Sequence, residues 1–260
     1  MNIGFIGCGN MGGALARAIS RNLNTTVYIS DNNNEKAKVF ANEIGGIAID
    51  NIQNASVSDF LFIGVKPGYV SSVAEEVKSH LKDSSVIVSM AAGVCTEKLS
   101  EYFGKDKKII RIMPNTPVKV GGGVVAWCSL NASKEDEERF ISLMKPVGLC
   151  DKLPENLIDA ECALAGCGPA FVYMFIEALA DGAVKCGLPR DKALIYAAET
   201  VKGAADMVLI TGEHPEALKD AVCSPGGATI EGVAALEAGS FRATAIDAVT
   251  KAFDKIKTLG

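Results

Sequence analysis

Three glycines near the start of the chain have the spacing of a phosphate-binding turn. Gly7, Gly9 and Gly12 form a Gly-x-Gly-x-x-Gly string that follows the apolar run Ile3–Gly7 and opens a helical pattern. In this context the first glycine permits a tight turn, the second lets a pyrophosphate approach the backbone, and the third allows close packing of the helix. The free N–H groups and the helix dipole would bind the anion. A packing turn without a ligand is the alternative.

An acidic residue follows the second apolar run at the distance expected of a ribose ligand. Asp31 lies 19 residues beyond Gly12, where a carboxylate commonly binds the ribose hydroxyls of NAD. No arginine is adjacent to bind a 2′-phosphate, so the negative charge favours NADH over NADPH, although Lys36 or Lys38 could reach the site. Alternatively, Asp31 only caps the helix that begins near Asn34–Glu35.

Two further loops are predicted at the carboxyl ends of strands, where ligands bind in doubly wound sheets. They are Val65–Gly68 and Met90–Gly93, and the small residues of the second would let a nicotinamide ring lie against the backbone. Both could equally be ordinary turns, which proline and glycine favour. A third loop, Met113–Pro117, contains two prolines and could form a wall of the site.

A fourth segment, in the second half of the chain, predicts a binding site for a carboxylate. Ser224 is expected to cap a helix, with Pro225 at the first helical position. Gly226 and Gly227 then leave the N–H groups of the first turn uncovered, which is a favourable place for an anion. The hydroxyl of Thr229 would lie about one turn further along, within reach of a second polar atom of the same ligand. A capped helix that merely tolerates two glycines is the alternative.

These loops need elements to position them, and the first 150 residues supply a regular alternation. Short β-branched runs alternate with helical patterns, which predicts βαβ units and a largely parallel sheet. The runs are continuously apolar, as expected when helices cover both faces. The predicted strands are Ile3–Gly7, Thr26–Ser30, Phe60–Val65, Val86–Ser89, Ile109–Met113 and Val124–Cys128, and the predicted helices include Met11–Arg21, Glu35–Ile44, Val70–Leu81 and Lys134–Met144.

The pattern changes after Pro154, where alanine-rich helical segments replace the strands. We therefore expect an α/β Rossmann domain with a doubly wound, mostly parallel sheet over residues 1–152, and an all-α domain over residues 153–260. The segment Phe171–Ala180 carries one charge in ten residues. A helix without a polar face must be buried on every side. About 110 residues can hardly enclose it, so a second subunit is expected to complete its cover.

Composition narrows the classes of protein that fit. The chain has 260 residues, a net charge of −5 and 48% hydrophobic residues, which argues against disorder and against a basic nucleic-acid surface. No run reaches the ~18 uninterrupted apolar residues of a membrane span, and no secretory signal is visible, so the cytoplasm is expected. Eight cysteines without a CxxC pair predict reduced thiols, and two isolated histidines argue against a metal site.

Six strings together resemble the pyrroline-5-carboxylate reductase family over essentially the whole chain. They are Gly4–Met11, Val65–Pro67, Ala91–Gly93, Met113–Pro117, Gly166–Ala170 and, most specific, Ser224–Thr229. The resemblance implies the NADPH- or NADH-dependent reduction of a cyclic imine, 1-pyrroline-5-carboxylate, to proline. It also implies a helical dimerisation domain and dimers that assemble into larger rings, such as a decamer of five dimers.

The resemblance further implies which residues bind the ligands, with the two halves of a site coming from different subunits. Cofactor contacts would fall at Gly7, Cys8, Gly9, Asn10, Met11, Gly12, Asn51, Val65, Lys66, Pro67, Met90, Ala91 and Ala92, in addition to Asp31. Substrate contacts would fall at Val222, Ser224, Gly227, Ala228 and Thr229. The chain departs from the family pattern at Cys167, where serine is usual, at Ala221, where asparagine is frequent, and at Asp31, where many members have a small or basic residue.

We expect Thr229 to be the catalytic residue, by donating a hydrogen bond to the ring nitrogen, and no general acid is obvious. A β-hydroxyacid dehydrogenase is the nearest alternative, but it needs a lysine that Gly166–Glu177 does not contain. A dimer that senses a dinucleotide without turnover would leave the Ser224–Thr229 segment without a role. Cys8, Cys167 and Cys223 fall beside these sites, and the helix starts next to Cys8 and Cys223 would lower a thiol pKa. Oxidative inactivation that the cofactor prevents is a further hypothesis, and the favoured alternative is that these cysteines are small buried apolar side chains.

Overall fold

The computed structural model describes residues 1–22 and 24–258. Their contacts divide the chain into two compact units, Met1–Cys167 together with the residues from Phe253 onward, and Gly168–Ala252. The boundary predicted from the sequence, between residues 152 and 153, lies before this division and stays a prediction.

The first unit is built on an eight-stranded sheet with the order β3-β2-β1-β4-β5-β6-β7-β8. All neighbouring strands are parallel except β6 and β7, which are antiparallel. The strands are β1 Asn2–Ile6, β2 Thr26–Ser30, β3 Ile47–Ala48, β4 Phe60–Ile63, β5 Val86–Ser89, β6 Lys108–Pro114, β7 Gly123–Leu130 and β8 Gly148–Lys152. The helices are α1 Asn10–Ile19, α2 Asn34–Ile44, α3 Asn51–Val57, α4 Val70–Val77, α5 Thr96–Phe103, α6 Lys134–Met144 and α7 Ile158–Glu161, followed by a π-helix over Cys162–Gly166.

The central strands are buried on both faces. Phe60 and Phe62 of β4 pack into one hydrophobic cluster, while Leu61 and Ile63 pack into another on the opposite face. The ring of Phe5 stacks on that of Phe62 with centroids 4.6 Å apart. Because alternate side chains of a strand point to opposite faces, continuous apolar runs are what this arrangement requires. The doubly wound fold expected from the sequence is confirmed.

In the described residues the second unit contains five helices, α8 Gly168–Lys185, α9 Arg190–Thr211, α10 Pro215–Ala221, α11 Ala228–Ala238 and α12 Phe241–Ile256, and the division assigns the end of α12 from Phe253 onward to the first unit. In the described chain, Ala180 is the one fully buried residue of α8, and it packs with Ala193 and Ala197 of α9. Met174, by contrast, is 71% exposed. By length and composition alone, the helical stretch Glu155–Lys185 would be able to span a membrane, a test that core helices of other proteins also pass.

Candidate functional site

The glycine-rich turn after β1 leaves no room for a side chain at its first and third glycines, Gly7 and Gly12. Gly7 has a φ of +94°, and its N–H donates to the carbonyl of Ser30 at 2.8 Å. A Cβ on Gly7 would lie 2.8 Å from the carbonyl oxygen of Gly64, and one on Gly12 would overlap the carbonyl oxygen of Gly7. The first and third glycines therefore have the roles that the sequence predicts, a tight turn and close helix packing.

The start of α1 is open to an anion. Gly9 is the N-cap of this helix, and no side chain of the described residues caps it. A Cβ added to Gly9 would meet no atom of the described residues within 4 Å. The first-turn N–H groups of Asn10 and Met11 are thus free for a phosphate, which the helix dipole attracts. A nicotinamide dinucleotide fits this cradle.

Asp31, at the end of β2, faces the turn. Its carboxylate accepts hydrogen bonds from the N–H of Cys8 at 2.9 Å and from the N–H of Asn33 at 3.1 Å. Burial alone would raise the pKa of Asp31, but these N–H groups, the Cys8 thiol and Lys36 lower it on balance. Asn33 is the residue that caps α2, because its side chain accepts from the N–H of Lys36 at 3.0 Å. The alternative that Asp31 caps this helix is wrong.

Two cavities border the turn. The larger, of about 540 Å³, is lined among others by Asp31, Asn51, Val65 and Lys66, which the sequence assigns to the cofactor. Asn51 donates to the carboxylate of Glu76 at 2.9 Å, which fixes its side chain at the cavity wall. The smaller cavity, of about 380 Å³, lies over the N-terminal part of α1, and the residues that line it are Cys8, Gly9, Asn10, Gly13, Ala14, Arg17, Lys36, Phe40 and Lys119.

Four more residues assigned to the cofactor, Pro67, Met90, Ala91 and Ala92, are not part of the lining of these cavities. Pro67 begins a turn of 3₁₀-helix directly after Lys66. Met90, Ala91 and Ala92 follow β5 at the same carboxyl edge of the sheet, and Ala91 is buried in the core. Their contact with the nicotinamide stays a prediction.

The thiol of Cys8 is not activated, contrary to the expectation for a cysteine beside a helix start. Burial and the hydrogen bond from its Sγ to Asp31, 3.3 Å long, raise the pKa of Cys8 to about 11. The sequence shows that a helix begins here, but it does not show that a carboxylate accepts the thiol proton. The expectation that the helix start lowers the pKa of Cys8 is therefore wrong, whereas the alternative of a small buried side chain agrees with its 6% exposure.

The start of α11 differs from the predicted capped helix in one respect. The N–H of Gly227 donates to the carbonyl of Ser224 at 3.0 Å, which closes a tight turn, and Gly226 has a φ of +67°. This turn keeps Ser224 and Pro225 outside the helix, so that Gly227, not Ser224, is the N-cap. The expectation of a serine cap is wrong for this reason. No side chain of the described residues caps the helix, so the first N–H groups, including that of Thr229, remain free.

The comparisons with known proteins agree with one family along the whole chain. A family model described as pyrroline-5-carboxylate reductase dimerisation matches residues 155–259, and one described as NADP oxidoreductase coenzyme F420-dependent matches residues 2–93. The pyrroline-5-carboxylate reductase of Escherichia coli (strain K12) is 42% identical over 99% of this chain and 97% of its own length. The chain belongs to the pyrroline-5-carboxylate reductase family.

Other members of the pyrroline-5-carboxylate reductase family support this assignment. The enzyme of Arabidopsis thaliana is 40% identical over 99% of this chain and 95% of its own length. The reductase structure from Coxiella burnetii has a TM-score of 0.91 at 33% identity, covering 100% of this chain and 98% of that one. The Plasmodium falciparum structure with NADP bound has a TM-score of 0.88 with the same identity and coverage.

Family membership settles the broad questions that the sequence raised. The chain is an NAD(P)-dependent oxidoreductase, which excludes the dinucleotide sensor without turnover. Its cofactor is a nicotinamide dinucleotide. The helical region from residue 155 onward is a dimerisation domain, and it includes the apolar helix α8. This supports a homodimer, while the cover of the exposed apolar surface of α8 by the second subunit stays a prediction.

The reductase also has polar clusters that the sequence did not reveal. Arg111 of β6 is 4% exposed and bonds to Glu155 at 3.1 Å and to Asp159 at 3.2 Å. Asn115, in the proline-containing loop, donates from Nδ2 to the carbonyl of Ala165 in the π-helix at 2.9 Å. The partners are more than 40 residues apart, so no local pattern indicates them. A buried charge within an apolar strand was the one available signal.

Proposed function

We propose that this protein reduces the C=N bond of 1-pyrroline-5-carboxylate to give proline, the last step of proline biosynthesis. The observation that carries the proposal is the start of α11, where Gly227 leaves a helix N-terminus without a side-chain cap. A carboxylate is the ligand that such free N–H groups and the helix dipole favour. The substrate contacts are proposed at Val222, Ser224, Gly227, Ala228 and Thr229.

In this reaction the main role of the protein would be to position the substrate and the cofactor. A nicotinamide cofactor, when bound at the glycine-rich turn, would supply the hydride that the imine carbon needs, and a proton would complete the new N–H bond of the ring nitrogen. Thr229, the second residue of α11, would place its hydroxyl against that nitrogen while the helix start binds the carboxylate. Holding the two rings at near-attack distance supplies most of the rate. The proton comes with a protonated imine or from water, and Lys66 is a candidate for polarising the region.

Steady-state kinetics of Thr229→Ala and Thr229→Ser test this role. We expect the alanine variant to lose about tenfold or more in kcat/KM for pyrroline-5-carboxylate, and the serine variant to keep most of it. Thr250→Ala is the matched control, since the Thr250 hydroxyl only bonds to the carbonyl of Ile246 in its own helix. Unchanged kcat/KM in Thr229→Ala would remove this residue from the mechanism.

Substrate comparison tests the reaction class. Oxidation of NADH or NADPH is followed at 340 nm with pyrroline-5-carboxylate, short aldehydes and keto acids. We expect turnover with the cyclic imine alone. Preferred turnover of a hydroxy acid or a keto acid would instead support the β-hydroxyacid dehydrogenase alternative. Running both cofactors in the same series tests the NADH preference, which stays a prediction from the charge of Asp31.

The assembly and location are proposed in finer detail than the family shows. We propose a decamer of five dimers in the cytoplasm, without nucleic-acid or membrane partners. The large exposed apolar side chains of α8 and α9, among them Met174 and Ile210, support extensive subunit contact. Light scattering after size exclusion would give a mass of about ten chains, whereas a mass of two chains would limit the assembly to the dimer.

A further inference from the structure

The carboxylate of Asp31 already has partners on several sides. Its Oδ2 accepts from both the N–H and the thiol of Cys8, and Lys36 Nζ lies 3.4 Å from the same oxygen. Its Oδ1 accepts from the N–H of Asn33. The side chain is 9% exposed. Because a carboxylate offers about four acceptor positions, little capacity is left to bind two ribose hydroxyls.

These bonds connect Asp31 to the turn that precedes α1. Two consecutive N–H groups of the turn, those of Gly7 and Cys8, donate to the two residues at the end of β2, Ser30 and Asp31. The bond to Asp31 is charge-assisted and therefore among the stronger ones in the turn. Asp31 thus fixes the position of the turn, and with it the helix start that receives the pyrophosphate.

Lys36 is the cation that balances Asp31, and it remains available to a ligand. Its ion pair with Asp31 is long, and the lysine side chain is 47% exposed, so this pair contributes little. Lys36 lines both cavities beside the turn. Lys38, two residues along the same helix, pairs with Glu35 at 2.8 Å and lines neither of them.

We propose that Asp31 acts on the cofactor indirectly, as a positioning residue for the glycine-rich turn, and that Lys36 decides whether a 2′-phosphate is accepted. A 2′-phosphate beside Asp31 would draw the ammonium group of Lys36 to itself, while Asp31 keeps its bonds to the turn. The charge of Asp31 then does not exclude NADPH. The inference rests on the proposed function only in taking a nicotinamide dinucleotide as cofactor.

Calorimetric titration of the full-length protein without substrate tests both parts. The probes are NAD⁺ and NADP⁺, which share the pyrophosphate and differ only in the 2′-phosphate that NADP⁺ carries. We expect Asp31→Ala to weaken both probes by the same factor, about tenfold. We expect Lys36→Gln to weaken the binding of NADP⁺ about five- to tenfold and to leave the binding of NAD⁺ unchanged. Lys38→Gln, the matched control, should change neither.

Opposite patterns overturn the proposal. If Asp31→Asn strengthens the binding of NADP⁺ while weakening that of NAD⁺, Asp31 contacts the ribose directly and selects against the phosphate. If Lys36→Gln and Lys38→Gln behave alike, Lys36 has no special role. Thermal melting identifies a variant that fails to fold, and Asp31→Asn, which can still accept from Cys8, then replaces Asp31→Ala with the same expected pattern. If the wild type binds neither probe, the cofactor assignment itself fails, which is a different result from either pattern above.

Discussion

Replacing Gly227 by alanine is the sharpest perturbation of the proposed carboxylate site. The backbone of Gly227, with φ −81° and ψ 168°, suits any residue, so the variant should fold. The new Cβ, however, would overlap Ser224 Oγ and lie 3.1 Å from the Ser224 carbonyl oxygen. The hydroxyl of Ser224 must therefore rotate away. Because a hydrogen bond to a charged ligand contributes about 1.5–3 kcal/mol, kcat/KM for pyrroline-5-carboxylate should fall about ten- to hundredfold, mainly through KM.

A double-mutant cycle shows whether this loss passes through Ser224. In Ser224→Ala the overlapping oxygen is gone, and the new Cβ of residue 227 meets the Cβ of residue 224 at an ordinary 3.6 Å. The Gly227→Ala change should therefore cost much less in that background. Gly232→Ala, in the same helix, is the control, since an added Cβ there meets no described atom within 4 Å. Equal losses in both backgrounds, or none in either, would refute the reasoning.

Three further changes test the reductase at other points. Gly12→Ala should abolish cofactor binding, measured by titration with NADH, because its Cβ would overlap the carbonyl oxygen of Gly7. Arg111→Met should lower the free energy of unfolding in urea at pH 7 by about 2 kcal/mol. Burial tends to raise the pKa of Glu155, but its hydrogen bonds to Thr96 and Arg111 lower it on balance. The stabilisation that ionised Glu155 provides is therefore present above its ordinary pKa of 4.5 and is lost as the pH falls further. A stability deficit in Arg111→Met that does not shrink at pH 3 would contradict this reasoning. Burial raises the pKa of Glu161 from 4.5 to about 7, so the free energy of unfolding falls as the pH rises between these values. Glu161→Gln should therefore recover up to about 3 kcal/mol at pH 8 and almost nothing at pH 4. Equal effects at both pH values would count against a charged buried carboxyl.

Much of the fold could be predicted from the sequence because its main signals are local. Thr26–Ser30 and Val86–Ser89 are strands with the predicted bounds, since continuous apolar runs between helical patterns have one common explanation in α/β proteins. The edge strands β3 and β8 were missed. Ile47–Ala48 has two residues, and Gly148–Lys152 is half polar and exposed, so neither has a buried strand's pattern.

The candidate site was predicted in its locations and less well in its details. Gly7 and Gly12 could be predicted because the turn leaves no space for a Cβ at these two positions, which requires glycine in the sequence. The direction of a side chain does not, because it depends on which donors are nearby in three dimensions. Asp31 is expected at the ribose, which stays a prediction, but its bond to Cys8, 23 residues away in the sequence, could not be predicted. Burial, together with this contact, raises the pKa of the Cys8 thiol instead of lowering it.

The few buried residues of α8 make protein concentration part of the stability of this enzyme. The dimerisation domain buries few residues within one chain, so dissociation of the dimer removes whatever cover the second copy gives it. Each tenfold dilution then removes about 1.4 kcal/mol from the dimer, as a denaturant would. At the low concentrations that follow synthesis, side chains such as Tyr173 and Met174 face water and are open to aggregation. Pairing of new chains would shorten the time during which these apolar side chains are exposed.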